Sequence, residues 1–143
     1  MSAENITAEE VASVFPKVAQ TIADCLGRDL EEVKLNSGLI NDLEAESIDS
    51  LDIVFRLERA FKIKIPRGKI VEEARGELSE TEFEQNGALT EAGQKRLREY
   101  LSEVPAQQFD RRLKTSDIPA LFTVETFCKL VVRALRARQP AGA

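Results

Sequence analysis

Residues 42–66 read DLEAESIDSLDIVFRLERAFKIKIP, and this stretch decides the fold. From Ser47 onward, Ile48, Leu51, Val54, Phe55, Leu57 and Phe61 recur at helical spacing, and Ile63-Lys64-Ile65-Pro66 ends the run. The spacing predicts a helix that opens near Ser47 and buries Leu51, Val54 and Phe55. Acidic residues crowd its beginning: Asp42, Glu44 and Glu46 before the serine, Asp49 and Asp52 after it. Lys62–Ile65 alternates apolar and polar residues, yet it is too short and isolated to predict a strand.

Upstream, Thr7-Ala8-Glu9-Glu10 fits a capping box, so a helix starts at Ala8. Pro16 predicts a kink or a short lead-in before the main helix. Phe15, Val18, Ile22, Cys25 and Leu26 form an apolar stripe that stops at Gly27. The connection 28–46 is long but regularly apolar, with Leu30, Val33, Leu35, Leu39, Ile40 and Leu43 as pegs into a core. Downstream, Thr123 caps a last helix whose Val124, Phe127, Cys128, Val131, Val132 and Leu135 follow one helical face. The tail after Arg138, QPAGA, frays.

Residues 67–117 differ in texture. Ser79-Glu80-Thr81-Glu82 is another capping pattern, Asn86-Gly87 a turn signal, and Thr90 a cap for a helix to Leu101 or Ser102 that Pro105 stops. Phe109 and Leu113 suggest one more helical turn, and Ser116-Asp117-Ile118-Pro119 a short capped turn. The chain reads as one all-α domain over residues 1–143, a four-helix bundle core at 8–66 and 118–138 with a helical insertion at 67–117.

Composition excludes several functions. The chain has no histidine, which removes Ser-His and Cys-His nucleophiles, histidine-ligated metals and phosphohistidine relays. Cys25 and Cys128 lack metal-ligand spacing and read as two buried thiols. Residues 1–66 hold 13 acids against 7 bases, and residues 67–143 hold 12 against 13. An acidic first half argues against nucleic acid and for partners with a basic face. No stretch is long enough for a membrane span, and MSAENITAEE lacks the basic and apolar parts of a secretory signal, so the expected location is the cytoplasm.

In order and spacing, the 42–66 segment resembles the signature of acyl carrier proteins. An Asp-Leu pair (Asp42-Leu43) and a short acidic stretch lead to an acidic–Ser–aliphatic triplet, Glu46-Ser47-Ile48, and Phe61 and Ile65-Pro66 close the helix. The similarity extends back over residues 16–42 and resumes at 121–135. It implies an acyl-carrier-like bundle without catalytic residues of its own. Ser47 would bear a covalent 4′-phosphopantetheine, delivered from coenzyme A by a phosphopantetheinyl transferase. It further implies that Asp42, Glu44, Glu46, Ile48, Asp49, Leu51 and Asp52 dock on acyl-ligase, synthase or acyltransferase enzymes through their basic patches. The expected carrier is a monomer that binds neither nucleic acid nor metal. Glu46 stands where the family usually has Asp, and Glu44 where many carriers have glycine. With the 67–117 insertion, these departures imply a specialised member with its own partners.

Other readings fit the same residues. Ser47 is also a common kind of helix cap, and Ser50 is a rival attachment point without the Asp-Leu pair at the right offset. A calcium loop starting at Asp42 fails, because Ser47 stands where the turn glycine belongs and Ile53 where the bidentate glutamate belongs. An unmodified carrier-like scaffold and an aminoacyl or peptidyl carrier remain as functional alternatives. Lys95, Arg96 and Arg98, like Lys129, Arg133, Arg136 and Arg138, read first as solvated faces. Their second reading is as cations that pair with the acidic half or hold the insertion.

Overall fold

The computed structural model describes residues 6–40, 42–65, 69–104 and 106–138. Expectations that fall on Pro66, Pro105, residues 1–5 and the tail 139–143 lie outside them. The chain divides into two compact units, residues 1–65 with 122–143, and residues 66–121.

Three long helices build the first unit: α1 (Ala8–Leu26), α2 (Ser47–Phe61) and α6 (Val124–Arg138). Each packs against the other two. α1 begins as its sequence dictates, with the Thr7 hydroxyl accepting the Glu10 N–H at 3.1 Å and the Glu10 carboxylate accepting the Thr7 N–H at 3.0 Å. The helix runs unbroken through Pro16, which rules out a separate lead-in, and ends at Gly27 in the left-handed conformation. Its core face is Val11, Val14, Val18, Ala19, Ile22 and Ala23, while Phe15, Cys25 and Leu26 are half-buried. In the connection, Val33, Leu39 and Leu43 are buried as expected, but Leu30 is exposed.

α6 starts where Thr123 and Thr126 cap each other, each hydroxyl accepting the other's backbone N–H at 3.1–3.2 Å. Val124, Phe127, Cys128 and Val131 are fully buried, and Phe127 meets Phe122 edge-on with ring centres 5.6 Å apart. Arg136 at its far end pairs with Glu10 of α1 at 2.6 Å, which fulfils the second reading of that cation.

The burial of α2 corrects the sequence reading. Ile53 and Leu57 are fully buried, Leu51 and Val54 are half-buried, and Phe55 is exposed together with Ile48. At about 100° per residue, Ile53 and Leu57 lie opposite Ile48, Leu51 and Phe55. The helix thus carries two apolar stripes, and spacing does not say which of them meets the core. Ile53→Ala is therefore expected to cost about 2–5 kcal/mol, as buried aliphatic truncations do. Phe55→Ala should cost well under half as much. Urea unfolding of both variants checks the assignment, and equal losses would restore Phe55 to the core.

The second unit contains α3 (Lys69–Arg75), α4 (Glu80–Phe83), α5 (Glu91–Tyr100) and 3-10 turns at 106–109 and 115–121. Ser79 and Thr90 cap α4 and α5, as their spacing predicts. The short α3, absent from the sequence reading, packs on α5, where the Tyr100 hydroxyl donates to Glu73 at 2.7 Å. A two-stranded hairpin also corrects that reading: β1 (Glu84–Gln85) pairs antiparallel with β2 (Ala88–Leu89). Asn86 and Gly87 both take positive φ, +56° and +81°, the requirement of the tightest hairpin turn. Leu113, expected in a helical turn, instead lies outside any helix, and its carbonyl accepts the N–H of Leu89 in β2 at 2.8 Å.

Candidate functional site

The approach to Ser47 is a fastened loop. Gly38 carbonyl accepts the N–H groups of Asp42 (2.9 Å) and Leu43 (3.1 Å), while the Asp42 carboxylate accepts the Gly38 N–H at 2.7 Å. Leu43 and Ala45 are buried, so the loop is anchored on both sides of Glu44. The same stretch meets the start of α6: Leu39 N–H donates to Phe122 carbonyl and Val124 N–H to Ser37 carbonyl.

Between those anchors Glu44 sits at φ +61°. Glycine takes this conformation without strain, whereas a side chain there costs roughly 1–2 kcal/mol. Arg28 holds the Glu44 carboxylate at 2.9 Å and reaches Glu32 at 3.5 Å. An exposed pair of this kind returns at most about 1 kcal/mol. Arg28 was not singled out in the sequence, because its partner lies 16 residues away.

At the start of α2 the capping position belongs to Glu46, in extended conformation (φ −90°, ψ 160°), and its N–H is accepted by Asp49 at 2.8 Å. Ser47 is the first residue of the helix proper. The first turn of a helix leaves N–H groups without intrahelical acceptors and carries about half a positive charge. A phosphodiester on the first helical residue would meet both. Glu46 and Ile48, its two neighbours, are exposed, Ile48 to 69%. The place thus fits an anionic arm reached from solvent.

The predicted docking residues gather on this loop and the first two turns of α2. Asp42, Glu44, Glu46, Ile48 and Asp52 are exposed, and Asp49 and Leu51 are half-buried. Several also work within the fold: Asp42 and Asp49 close turns, and Asp52 pairs with Arg56 at 3.3 Å. Further along α2 the charge reverses, and a groove of about 600 Å³ is lined by Phe55, Glu58, Arg59, Lys62, Ile63 and Lys64. Sequence spacing gave no sign of it, because Phe55 read as core.

Of the two thiols, Cys128 is buried and Cys25 half-buried, where its Sγ donates to the Asp52 carboxylate at 3.4 Å. Burial, then the hydrogen bond to Asp52, pushes Cys25 up to about 11, and burial pushes Cys128 up to about 12. Both are poor nucleophiles at neutral pH. Among the described residues, no group of three or more histidines, cysteines or carboxylates is placed to hold a metal. No helix of the described residues is long and apolar enough to cross a membrane.

The family model of the phosphopantetheine attachment site (PP-binding) matches residues 16–75, which span most of α1, all of α2 and all of α3. An acyl carrier protein of Clostridium acetobutylicum is 45% identical over 53 residues, 37% of this chain and 69% of that protein. Acyl carrier protein AcpXL of Rhizobium meliloti is 40% identical over 74 residues, 51% of this chain and 78% of that one. AcpXL of Mesorhizobium japonicum is 40% identical over 63 residues, 44% of this chain and 68% of its own length. No solved structure matches. A carrier-type bundle, a helix that opens on Ser47 and relatives matched over two thirds or more of their length lead to one conclusion: the chain belongs to the acyl carrier protein family, whose covalent cofactor is 4′-phosphopantetheine.

Proposed function

We propose that the chain is a non-catalytic carrier whose Ser47 hydroxyl accepts phosphopantetheine from coenzyme A through a separate Mg²⁺-dependent transferase. When bound, the arm supplies a terminal thiol that holds an acyl group as a thioester. The observation that carries the assignment is the division of labour at the start of α2: Glu46 occupies the cap, and Ser47 follows as the first helical residue between two exposed neighbours. The first helical position, next to the free N–H groups of the helix start, is where a phosphodiester gains most from the helix.

The acids at 42–52 and the exposed Ile48 form the face offered to acyl-ligase, synthase and acyltransferase partners. Charges of this kind steer encounter and fix orientation more than they add affinity. The carrier works as a cytoplasmic monomer. We read residues 67–117 as an insertion in the carrier core; they fall within the compact unit 66–121, which supports that reading.

Intact-mass measurement after incubation with coenzyme A, Mg²⁺ and a broad-specificity transferase tests the reading. The expected result is a gain of one phosphopantetheine unit, with one fast-reacting thiol appearing in a disulfide-exchange assay at pH 8. Cys25 and Cys128 should react slowly before and after, since their ionisation lies near 11 and 12. No gain with several transferases would move the assignment to an unmodified scaffold.

A further inference from the structure

The second unit holds a cleft of about 450 Å³ between α5 and residues 109–112. We propose that this cleft binds a phosphate-bearing small molecule. Lys95 and Arg98 line one wall, and Arg111 and Arg112 the other. The carboxylates of Glu91 and Asp110 also line it, leaving four cations against two acids. Asp117, outside the lining, offsets one of the four through its pair with Arg111, so a net positive charge remains.

Lys95, Arg98 and Arg112 are exposed and make no ion pair or side-chain hydrogen bond with the described residues. Arg111 is oriented by Asp117 at 3.3 Å, while Asp117 is itself fixed by the Lys114 N–H at 2.9 Å. Like charges such as Lys95, Arg98 and Arg112, gathered on a concave surface, repel one another and raise the local concentration of anions. Guanidinium groups suit phosphate in particular, because their paired donors match its oxygens.

One side chain fixes the two walls to each other. The Gln94 carboxamide donates to the carbonyls of Phe109 (2.9 Å) and Arg111 (2.8 Å), and its oxygen accepts the Leu113 N–H at 3.0 Å. All its bonds go to the backbone of the opposite wall, so Gln94 is a strut rather than a ligand group. Phe109 is buried beneath and gives the cleft a firm floor. A site shaped before its ligand arrives loses little on binding. Its volume falls in the range of small-molecule pockets, which favours a phosphate compound over a flat protein surface.

The test is a backbone-amide NMR titration of the full chain with inorganic phosphate in about 150 mM sodium chloride. The expected result is a saturable shift confined to residues 91–98 and 109–112, with a dissociation constant of about 1 mM. It should weaken at least tenfold in Arg98→Ala/Arg112→Ala, two exposed positions at which thermal unfolding is expected not to change. A parallel titration with a polyglutamate peptide separates ligand classes. Saturation by the peptide without saturation by phosphate overturns the proposal and makes the cleft a protein-docking site. Unsaturable drift, or equal binding by the variant, overturns it outright. Neither depends on whether Ser47 is modified.

Discussion

Ser47→Ala is expected to gain no mass with coenzyme A and transferase, while Ser50→Ala is loaded to the same extent as the unaltered chain. The two serines lie three residues apart on α2, so the comparison holds composition and charge constant. They differ in place. Ser47 opens the helix directly after the capping residue, whereas Ser50 lies nearly a full turn further in. The unbonded N–H groups and the positive end of the helix dipole are confined to the first turn, and their effect falls off beyond it. Both neighbours of Ser47, Glu46 and Ile48, are exposed. Loss of loading could be confused with loss of folding, but the cap settles that point. Serine at a capping position costs about 1 kcal/mol when changed to alanine. With Glu46 in that position, Ser47→Ala should unfold within a few tenths of a kcal/mol of the parent. A destabilisation near 1 kcal/mol would mean that Ser47 caps the helix after all, and continued loading of Ser47→Ala would move the attachment to another residue.

The parts of this structure that were legible in the sequence are those governed by local chemistry. Thr7, Ser79, Thr90 and Thr123 announce helix starts because a short hydroxyl followed by an acceptor or a free N–H needs no tertiary context. The Asp42–Pro66 pattern placed the start of α2 at Ser47. The departure at Glu44 implied only a specialised member, whereas its backbone takes the left-handed conformation at φ +61°.

What escaped was decided at a distance. The choice between the two apolar stripes of α2 depends on where α1 and α6 lie, so Ile53 was overlooked and Phe55 misassigned to the core. α3 is too short for periodicity to show, and it gains its packing from α5. The hairpin at 84–89 has a clear turn signal but no alternating flanks; its second partner is the chain at 113–115, far along the sequence. Arg28 and Gln94 act through partners 15–19 residues away, a separation no motif records.

Gly93→Ala is expected to disrupt the second unit and leave loading of the first intact. A Cβ at Gly93 would stand 2.0 Å from the Phe83 carbonyl oxygen and 2.9 Å from its carbon. Those are backbone atoms, so no side-chain rotation relieves the overlap. Nor is the carbonyl able to retreat freely. It accepts the N–H of Thr90 (3.0 Å), whose hydroxyl donates to the adjacent Glu82 carbonyl and caps α5 by accepting the Gly93 N–H at 2.9 Å. Any shift large enough to admit the methyl group therefore opens the cap or separates α4 from α5, near the fully buried Phe83, Leu89 and Leu97. Overpacking commonly costs about 1–3 kcal/mol, and a clash with tethered backbone belongs at or above the upper end. Hydrogen exchange should show amides of 80–104 losing protection while those of α1 and α6 keep theirs, with phosphopantetheine uptake unchanged. If uptake falls with that protection, residues 66–121 are not an add-on, and carrier and insertion share one cooperative fold.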